Sequence, residues 1–411
     1  MNALTFTLFL FQQSEVVGVT IPLQKEWGTQ LQDAQTLLET GQGDTARPLI
    51  REILFSEPHL LIPTEEKNLF IGAHFAAEQI SKSIAPSAMN PWQERAQQEL
   101  QNALLPPSRE KLRQLALRFP DFPAGQTAKN ALHEIRTDHG YAKTETGTAY
   151  LHAPSVPNFQ SLQLPLLQPN DLQPAWEYKF QSPPINSAPH GHRMSFSEGV
   201  GFLSNGLEIV ALNLADGQPI WSYSGHPGWK TIPRVEQNHF FKSVHPKKIH
   251  APVIADGIVL VTLLEPVTLG REERHLNIDV RRSMPARRLY AFDVTDGTFL
   301  WAQEVAWDKE SSRQPKDLVA GPPAVSHGQI FLPTYDAIGT LDLSLTSLDL
   351  ATGKQLWKRF LVSAHQDSNL FGNLIREPAC APPLLQKDLV ILCSQLGAIC
   401  ALETNTGRIR W

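Results

Sequence analysis

Apolar side chains recur with a helical period from about residue 28 to residue 140. Leu31, Ala34, Leu37 and Leu38 share one face, Gly41 and Gly43 interrupt, and Ile50, Ile53 and Leu54 resume the stripe. This pattern predicts a helix, a turn and a second helix. Further helices are expected over about 65–84 (Leu69, Phe70, Ala73, Ala76, Ala77, Ile80), 92–104, 108–119 and 124–139. Pro106-Pro107 separates two of them, Ser108 stands where an N-cap belongs, and Gly140 follows the last helix, where a left-handed residue is favoured. From about residue 176 the pattern becomes that of strands. Ile258–Leu264, Gln329–Leu332 and Leu389–Cys393 are short apolar runs bounded by turn residues, and the starts Ala251-Pro-Val-Ile and Gly321-Pro-Pro-Ala-Val suggest a further strand in each unit.

Between these regions, residues 141–175 carry Pro154, Pro157, Pro165, Pro169 and Pro174 and few charges, which reads as a linker laid along a surface. Residues 1–27 form an N-terminal segment. Its run Ala3–Phe11 has the length of a signal-peptide core, yet no Lys or Arg precedes it and no clear small-x-small site follows. A buried N-terminal strand or helix is the other reading.

One pattern recurs four times in the strand region. Ala211-Leu-Asn-Leu-Ala-Asp-Gly217-Gln-Pro-Ile-Trp221 aligns with Ala291-Phe-Asp-Val-Thr-Asp-Gly297-Thr-Phe-Leu-Trp301, with Ser347-Leu-Asp-Leu-Ala-Thr-Gly353-Lys-Gln-Leu-Trp357, and with Ala401-Leu-Glu-Thr-Asn-Thr-Gly407-Arg-Ile-Arg-Trp411. The pattern A/S-x5-G-x3-W describes a β-hairpin. A strand ends in an Asn, Asp or Thr turn, glycine supplies a positive φ, and the next strand carries the tryptophan. Units of four strands at this spacing are the signature of a β-propeller, whose blades bury their faces on one another. A small alanine facing a large indole on the neighbouring blade would explain why both recur. The second unit holds an insertion, residues 265–287, in which Arg271, Arg274, Arg281, Arg282 and Arg287 mix with Glu265, Glu272, Glu273 and Asp279. A solvated loop or a partner-binding loop would fit that mixture.

The repeat resembles the tryptophan-docking motif of pyrroloquinoline-quinone (PQQ)-type propellers over about residues 176–411. That family includes quinoprotein alcohol dehydrogenases and the non-enzymatic propeller lipoprotein of outer-membrane assembly. The twelve residues Ala211, Gly217, Trp221, Ala291, Gly297, Trp301, Ser347, Gly353, Trp357, Ala401, Gly407 and Trp411 would then dock blade on blade. The pairs Leu37-x3-Gly41-x4-Ala46 and Leu115-Ala116-x2-Phe119-Pro120-x3-Ala124-Gly125-x2-Ala128 resemble tetratricopeptide-like repeats, with a plain helical bundle as the alternative. Helices before such a propeller, with Ser394-Gln-Leu-Gly-Ala-Ile-Cys-Ala-Leu402, are similar to large exported propeller proteins of planctomycete-like bacteria. The expected fold is therefore α+β and multidomain: tetratricopeptide-like helical hairpins over 28–140, then an all-β propeller over 176–411 with about four blades. The family's propellers close with seven or eight. Closure is expected to need further blades from a longer reading frame or an associating partner.

Composition narrows the function. The 36 basic and 41 acidic side chains nearly balance, at a net charge of -5, so neither nucleic acid nor an anionic membrane has bulk electrostatic support as a partner. No run reaches the roughly 18 to 20 apolar residues of a membrane-spanning helix. Cys380, Cys393 and Cys400 are the three cysteines, so no disulfide framework holds the chain. Cys393 and Cys400 lie on successive strands and either face each other or remain buried free thiols.

Hydrolase, kinase, zinc-protease and dinucleotide motifs are absent from the sequence. Quinoprotein enzymes typically carry an adjacent cysteine pair, an Asp base and a calcium-binding acidic set. No Cys-Cys occurs here. His190, His192, His226, His239, His245, His250 and His275 cluster in sequence, and a metal site would need three or four of them to converge; polar loop histidines are the plainer reading. Trp229 and Trp307 stand outside the repeat register and are candidates for recognition.

The leading reading is a non-catalytic interaction scaffold, exported to the periplasm or cell envelope, that binds a protein or envelope component on its loops or helices and needs no cofactor. The alternative is a dehydrogenase using PQQ with calcium. Carbohydrate or small-ligand binding in the propeller channel is a third reading, without a motif behind it.

Overall fold

In a computed structural model, residues 17–57, 59–84, 91–137, 176–180, 192–225, 249–269, 272–275, 278–281, 284–303, 317–338, 340–365 and 379–411 are described. A short strand, β1 (Val17–Thr20), precedes helices α1 (Lys25–Glu39) and α2 (Gly43–Phe55). A hairpin of β2 (Leu61–Pro63) and β3 (Phe70–Gly72) leads into α3 (Ala73–Ser81), followed by α4 (Pro91–Leu104), α5 (Arg109–Arg118) and α6 (Pro123–Thr137). The 3.6-residue stripe accounts for their packing: Leu31, Ala34, Ala46, Ile50, Ile53, Leu54, Ala73 and Ala77 form one core. Ala96, Leu100, Leu112, Leu115, Phe119 and Ala128 form the next. Ser108 accepts a hydrogen bond from the Lys111 amide at 3.4 Å, and so caps α5.

One helical expectation fails. Residues 65–72 belong to the β2–β3 turn and β3, with Leu61 opposite Gly72, Ile62 opposite Ile71 and Pro63 opposite Phe70. Asn68 takes a positive φ of 64°, and the Thr64 amide donates to the Leu69 carbonyl to close the turn. Leu69 and Phe70 fit the helical stripe equally well, but Leu61 and Ile62 offer a cross-strand partner that periodicity alone does not weigh.

The remaining strands form antiparallel sheets. Sheet I has the order β4 (Arg193–Ser197), β5 (Val200–Ser204), β6 (Ile209–Asn213), β7 (Pro219–Tyr223). Sheet II contains β8 (Val253–Ala255) and β9 (Ile258–Leu269); after the separate hairpin β10 (Glu272–His275) and β11 (Ile278–Arg281), it resumes with β12 (Met284–Asp293) and β13 (Phe299–Ala302). Sheet III comprises β14 (Leu318–Val319), β15 (Ala324–Ser326), β16 (Gln329–Ile338), β17 (Thr340–Asp349) and β18 (Gln355–His365), with β1 added along β18. Sheet IV is β19 (Leu384–Gln386), β20 (Leu389–Cys393) and β21 (Ile399–Glu403), against which residues 409–411 return.

The insertion thus departs from a simple loop. β9 and β12 extend through it as a paired ladder, and β10–β11 is a hairpin of its own. Arg287 is 1% exposed and Glu265 is buried, where it accepts the Tyr290 hydroxyl, so two of the expected solvent charges lie inside. Burial and Glu265 push the Tyr290 hydroxyl's pKa well up. Residues 1–16 and the linker 141–175 lie outside the described residues.

The helices sit on sheets III and IV. β1 pairs with the far end of β18, from Val17 opposite His365 to Thr20 opposite Ser363. Leu61, Ile21, Leu23 and Phe70 join a core with Phe331, Trp357, Leu402 and Ile409. Gly72 donates its amide to the Arg410 carbonyl at 3.1 Å, and a Cβ at Gly72 would overlap the Ile409 carbonyl. Only glycine permits that approach.

Candidate functional site

The four copies of the repeat fold alike. Each turn closes with two backbone bonds, for example Gly297 N to Asp293 O and Asp293 N to Thr298 O, and the same pair recurs at Asn213, Asp349 and Glu403. Side-chain acceptors reinforce the first three turns: Asn213 takes the Ala215 amide, Asp293 that of Thr295, and Asp349 that of Thr352. Gly217, Gly297, Gly353 and Gly407 have φ between 66° and 71°, the left-handed region the sequence requires of them.

The indoles of the first three copies cross to the next sheet. Trp221 donates Nε1–H to Val294 O at 3.1 Å, Trp301 to Leu350 O at 3.0 Å and Trp357 to Thr404 O at 3.1 Å, always the carbonyl three residues before the next motif's glycine. The ring then lies against that glycine. A Cβ on Gly297 would come within 2.5 Å of Trp221, and one on Gly407 within 2.6 Å of Trp357, so any side chain there would displace the indole. Ala211 is the cross-strand partner of Trp221, Ala291 of Trp301 and Ser347 of Trp357, each within its own hairpin, while glycine is the small residue beneath the incoming indole. Ala401 accepts the Arg410 amide and donates to the Trp411 carbonyl, and Trp411 is 41% exposed.

A further tryptophan falls outside the four-copy motif. Trp176 seats on Gly217 and donates to Leu214 O at 3.1 Å, the same arrangement one sheet earlier. Its signal in sequence is the phrase Trp176-Glu-Tyr178, matching Trp221-Ser-Tyr223, without the Ala and Gly ahead of it.

The candidate chemical groups scatter. His192 is exposed and stacks on Phe180 at 4.9 Å, and His250 is hydrogen-bonded to Thr262. His190, His226, His239, His245, Trp229 and Trp307 lie outside the described residues, as does the His275 side chain. Among the described residues no three His, Cys, Asp or Glu side chains come together as metal ligands.

Cys393 and Cys400 are not bonded to each other. Register sets Cys400 opposite Leu392 and Cys393 opposite Ile399, one residue out of alignment. Burial pushes the Cys400 thiol up to about 12, whereas Cys393 is exposed. Iodoacetamide at pH 8 is therefore expected to modify Cys393 well before Cys400. Peptide mass spectrometry showing equal rates would contradict the register.

A buried polar cluster lies where the helices meet sheet IV. Arg408 is 3% exposed, forms an ion pair with Glu78 of α3, approaches Glu403 at 3.8 Å and donates to the Ala116 carbonyl at 3.4 Å. Burial, then Arg410, lowers its pKa to about 9. Arg410 pairs with Glu403 at 3.0 Å and covers the Phe75 ring at 3.9 Å. Arg359 of β18 donates to Gly407 O and Thr406 O, and burial followed by Arg113 lowers its pKa to about 10. Beside them His59 and His74 stack at 4.0 Å. A cleft of about 360 Å³ opens nearby, lined by Arg109, Asp349, Ala351, Thr352, Lys354 and Leu356, with Arg109 and Asp349 bridged at 2.6 Å. The one sequence signal for this junction is the last motif copy. It reads Gly407-Arg-Ile-Arg-Trp411, with two charges in the x3 positions where the first two copies carry none.

Among the described residues nothing pairs along the outer edges of β7 in sheet I and β13 in sheet II. Ile220, Phe299 and Leu300 are exposed, whereas Ile409 in sheet IV is buried by the helices. Among the described residues no helix is long and apolar enough to cross a membrane.

A family model described as outer membrane protein assembly factor BamB matches residues 166–411. Among solved structures, a europium-containing methanol dehydrogenase is 15% identical over 53% of this chain and 40% of its own, with a TM-score of 0.33. BamB from Moraxella catarrhalis is 13% identical over 51% of this chain and 70% of its own, with a TM-score of 0.23. Saccharomyces cerevisiae Sqt1 is 12% identical over 54% and 48%, with a TM-score of 0.29. No curated protein matches the chain.

Proposed function

The chain belongs to the PQQ-like repeat family described as outer membrane protein assembly factor BamB, and from this premise we propose that it is a non-catalytic interaction scaffold of the cell envelope. In this reading residues 28–140 form a helical domain, 141–175 a linker, and 176–411 about four blades of an incomplete propeller. Sheets I to IV are the blades, and the twelve motif residues, with Trp176, hold blade to blade. Partners are proteins or envelope components engaged by loops, helices or the open blade rims, and the chain works outside the cytoplasm.

The observation that carries the reading is the repeated seating of indole on glycine. It spends the motif's aromatic residues on holding the blades together, while the loop ends stay free to vary. Fold does not by itself fix function, so the test is chemical. Purified protein mixed with PQQ and calcium is expected to show no quinone absorbance shift and no dye reduction. The same protein is expected to retain an envelope protein from outer-membrane extract that Phe299→Asp/Leu300→Asp protein retains less well. Cofactor-dependent dye reduction would transfer the assignment to a quinoprotein dehydrogenase. Failure to retain any partner would remove the scaffold reading.

A further inference from the structure

His59 and His74 are 5% and 2% exposed, sit face to face, and lie between the helical region and sheets III and IV. Their surroundings favour neutral rings. His59 faces His74 from α3, Arg113 from α5, Arg359 from β18 and Arg408 from the segment after β21, with Glu57 at 3.8 Å as its near carboxylate. His74 faces Arg408 and Arg359, has Trp27 of α1 against its edge at 6.2 Å, and lies one helical turn before Glu78. One of its ring nitrogens, Nε2, is 3.1 Å from the Ser56 carbonyl, which fixes the proton there. The Nδ1 atoms of both rings lack a hydrogen-bond partner. A proton added at either Nδ1 would enter a buried space already holding three guanidinium groups.

We propose that the His59–His74 stack is an acid-operated latch, in which protonation lifts the β2–β3 hairpin and α3 from sheet IV and uncovers the rim around Ile409 and Arg410. Burial first, then His74 and the arginines, holds His59 well below the ordinary 6.5 while the junction is closed; burial holds His74 near 4, with the Ser56 hydrogen bond opposing and Arg408 and Arg359 assisting. In the open state both rings meet water and regain the ordinary value. The sign follows: the closed state binds fewer protons, so its stability is complete above pH 6.5 and falls as pH drops below it. Each ring contributes about tenfold per pH unit. Two rings favour opening roughly a thousandfold between pH 7.5 and pH 5.0. Model carboxylates protonate near pH 4, below this window.

Hydrogen-exchange mass spectrometry of the full chain tests the latch, with rates normalised to intrinsic exchange at each pH. Protection of peptides covering 61–81 and 401–411 is expected to fall roughly a thousandfold from pH 7.5 to pH 5.0. Peptides covering 200–223 and 258–264 are expected to change by less than about tenfold, because none of the latch residues lies there. The His59→Gln/His74→Gln protein is expected to lose this pH dependence. Retention of the dependence in that variant, equal loss in all peptides, or no loss in the wild type would each overturn the proposal. Should the variant fail to fold, imidazole NMR of the wild type decides. Proton uptake at His59 and His74 that tracks the loss of protection supports the latch, and uptake near pH 6.5 with protection intact overturns it.

Discussion

Replacing Trp357 by alanine is expected to destabilise the chain by about 3–5 kcal/mol, read as a lowered midpoint in urea. The indole is 2% exposed, packs on Phe331 with ring centres 6.0 Å apart, and belongs to the core that joins sheet III, sheet IV and the β2–β3 hairpin. Its removal opens a cavity at that meeting point and leaves the Thr404 carbonyl without the indole N–H it accepts at 3.1 Å. Trp411→Ala supplies the comparison within the same motif. That ring is 41% exposed, so its loss is expected to cost less than about 1 kcal/mol. Equal costs for the two substitutions would mean that seating on glycine contributes nothing beyond the motif's own hairpin.

The second large effect concerns Arg408. Arg408→Met keeps much of the side chain's volume but takes the buried cation away from Glu78, which keeps only the half-exposed Lys82 at 3.1 Å on its other oxygen, at a cost of up to about 3–5 kcal/mol. Glu403 keeps Arg410 as a partner at 3.0 Å, which concentrates the loss on α3. Adding Glu78→Leu should recover most of that cost, because replacing both members of a buried pair by apolar groups is often neutral. A double-mutant cycle by urea denaturation checks this, and additive losses would contradict direct coupling of the two residues.

The strand half was legible because its signal is local and repeated. Gly217, Gly297, Gly353 and Gly407 mark turns that differ little from copy to copy, and the tryptophan four residues on fixes the outer strand. What the residues beneath the indoles do was less legible. Alanine and tryptophan pair across a hairpin, whereas the contact between sheets joins residues 47 to 73 positions apart, as in Trp357 with Thr404 and Trp221 with Val294. A repeat pattern constrains the first kind of pairing and is silent on the second. Trp176 shows the same limit, since it lacks the alanine and glycine that define the pattern.

The helical half was legible in its stripes and not in its junction. Leu31, Ala34, Ile50 and Ile53 are buried as their spacing requires. His59, His74, Glu78 and Arg408 carry no short-range pattern, because they meet only when residues over 300 positions apart come together. The histidines singled out by density in sequence, 190 to 275, include none of the buried pair. Arg287 and Glu265 show the opposite error, since a run rich in charge suggested solvent where the ladder of β9 and β12 holds both inside.

The central claim is that the indoles of sheets I to III are each seated on the next sheet's glycine turn, and exchange of the indole N–H groups tests it most directly. The nine tryptophans give indole signals that Trp→Phe variants assign one by one. In deuterated buffer at pH 7.5 the signals of Trp221, Trp301 and Trp357 are expected to persist long after that of Trp411 has vanished. Loss of all four at the rate of a free indole would contradict the account.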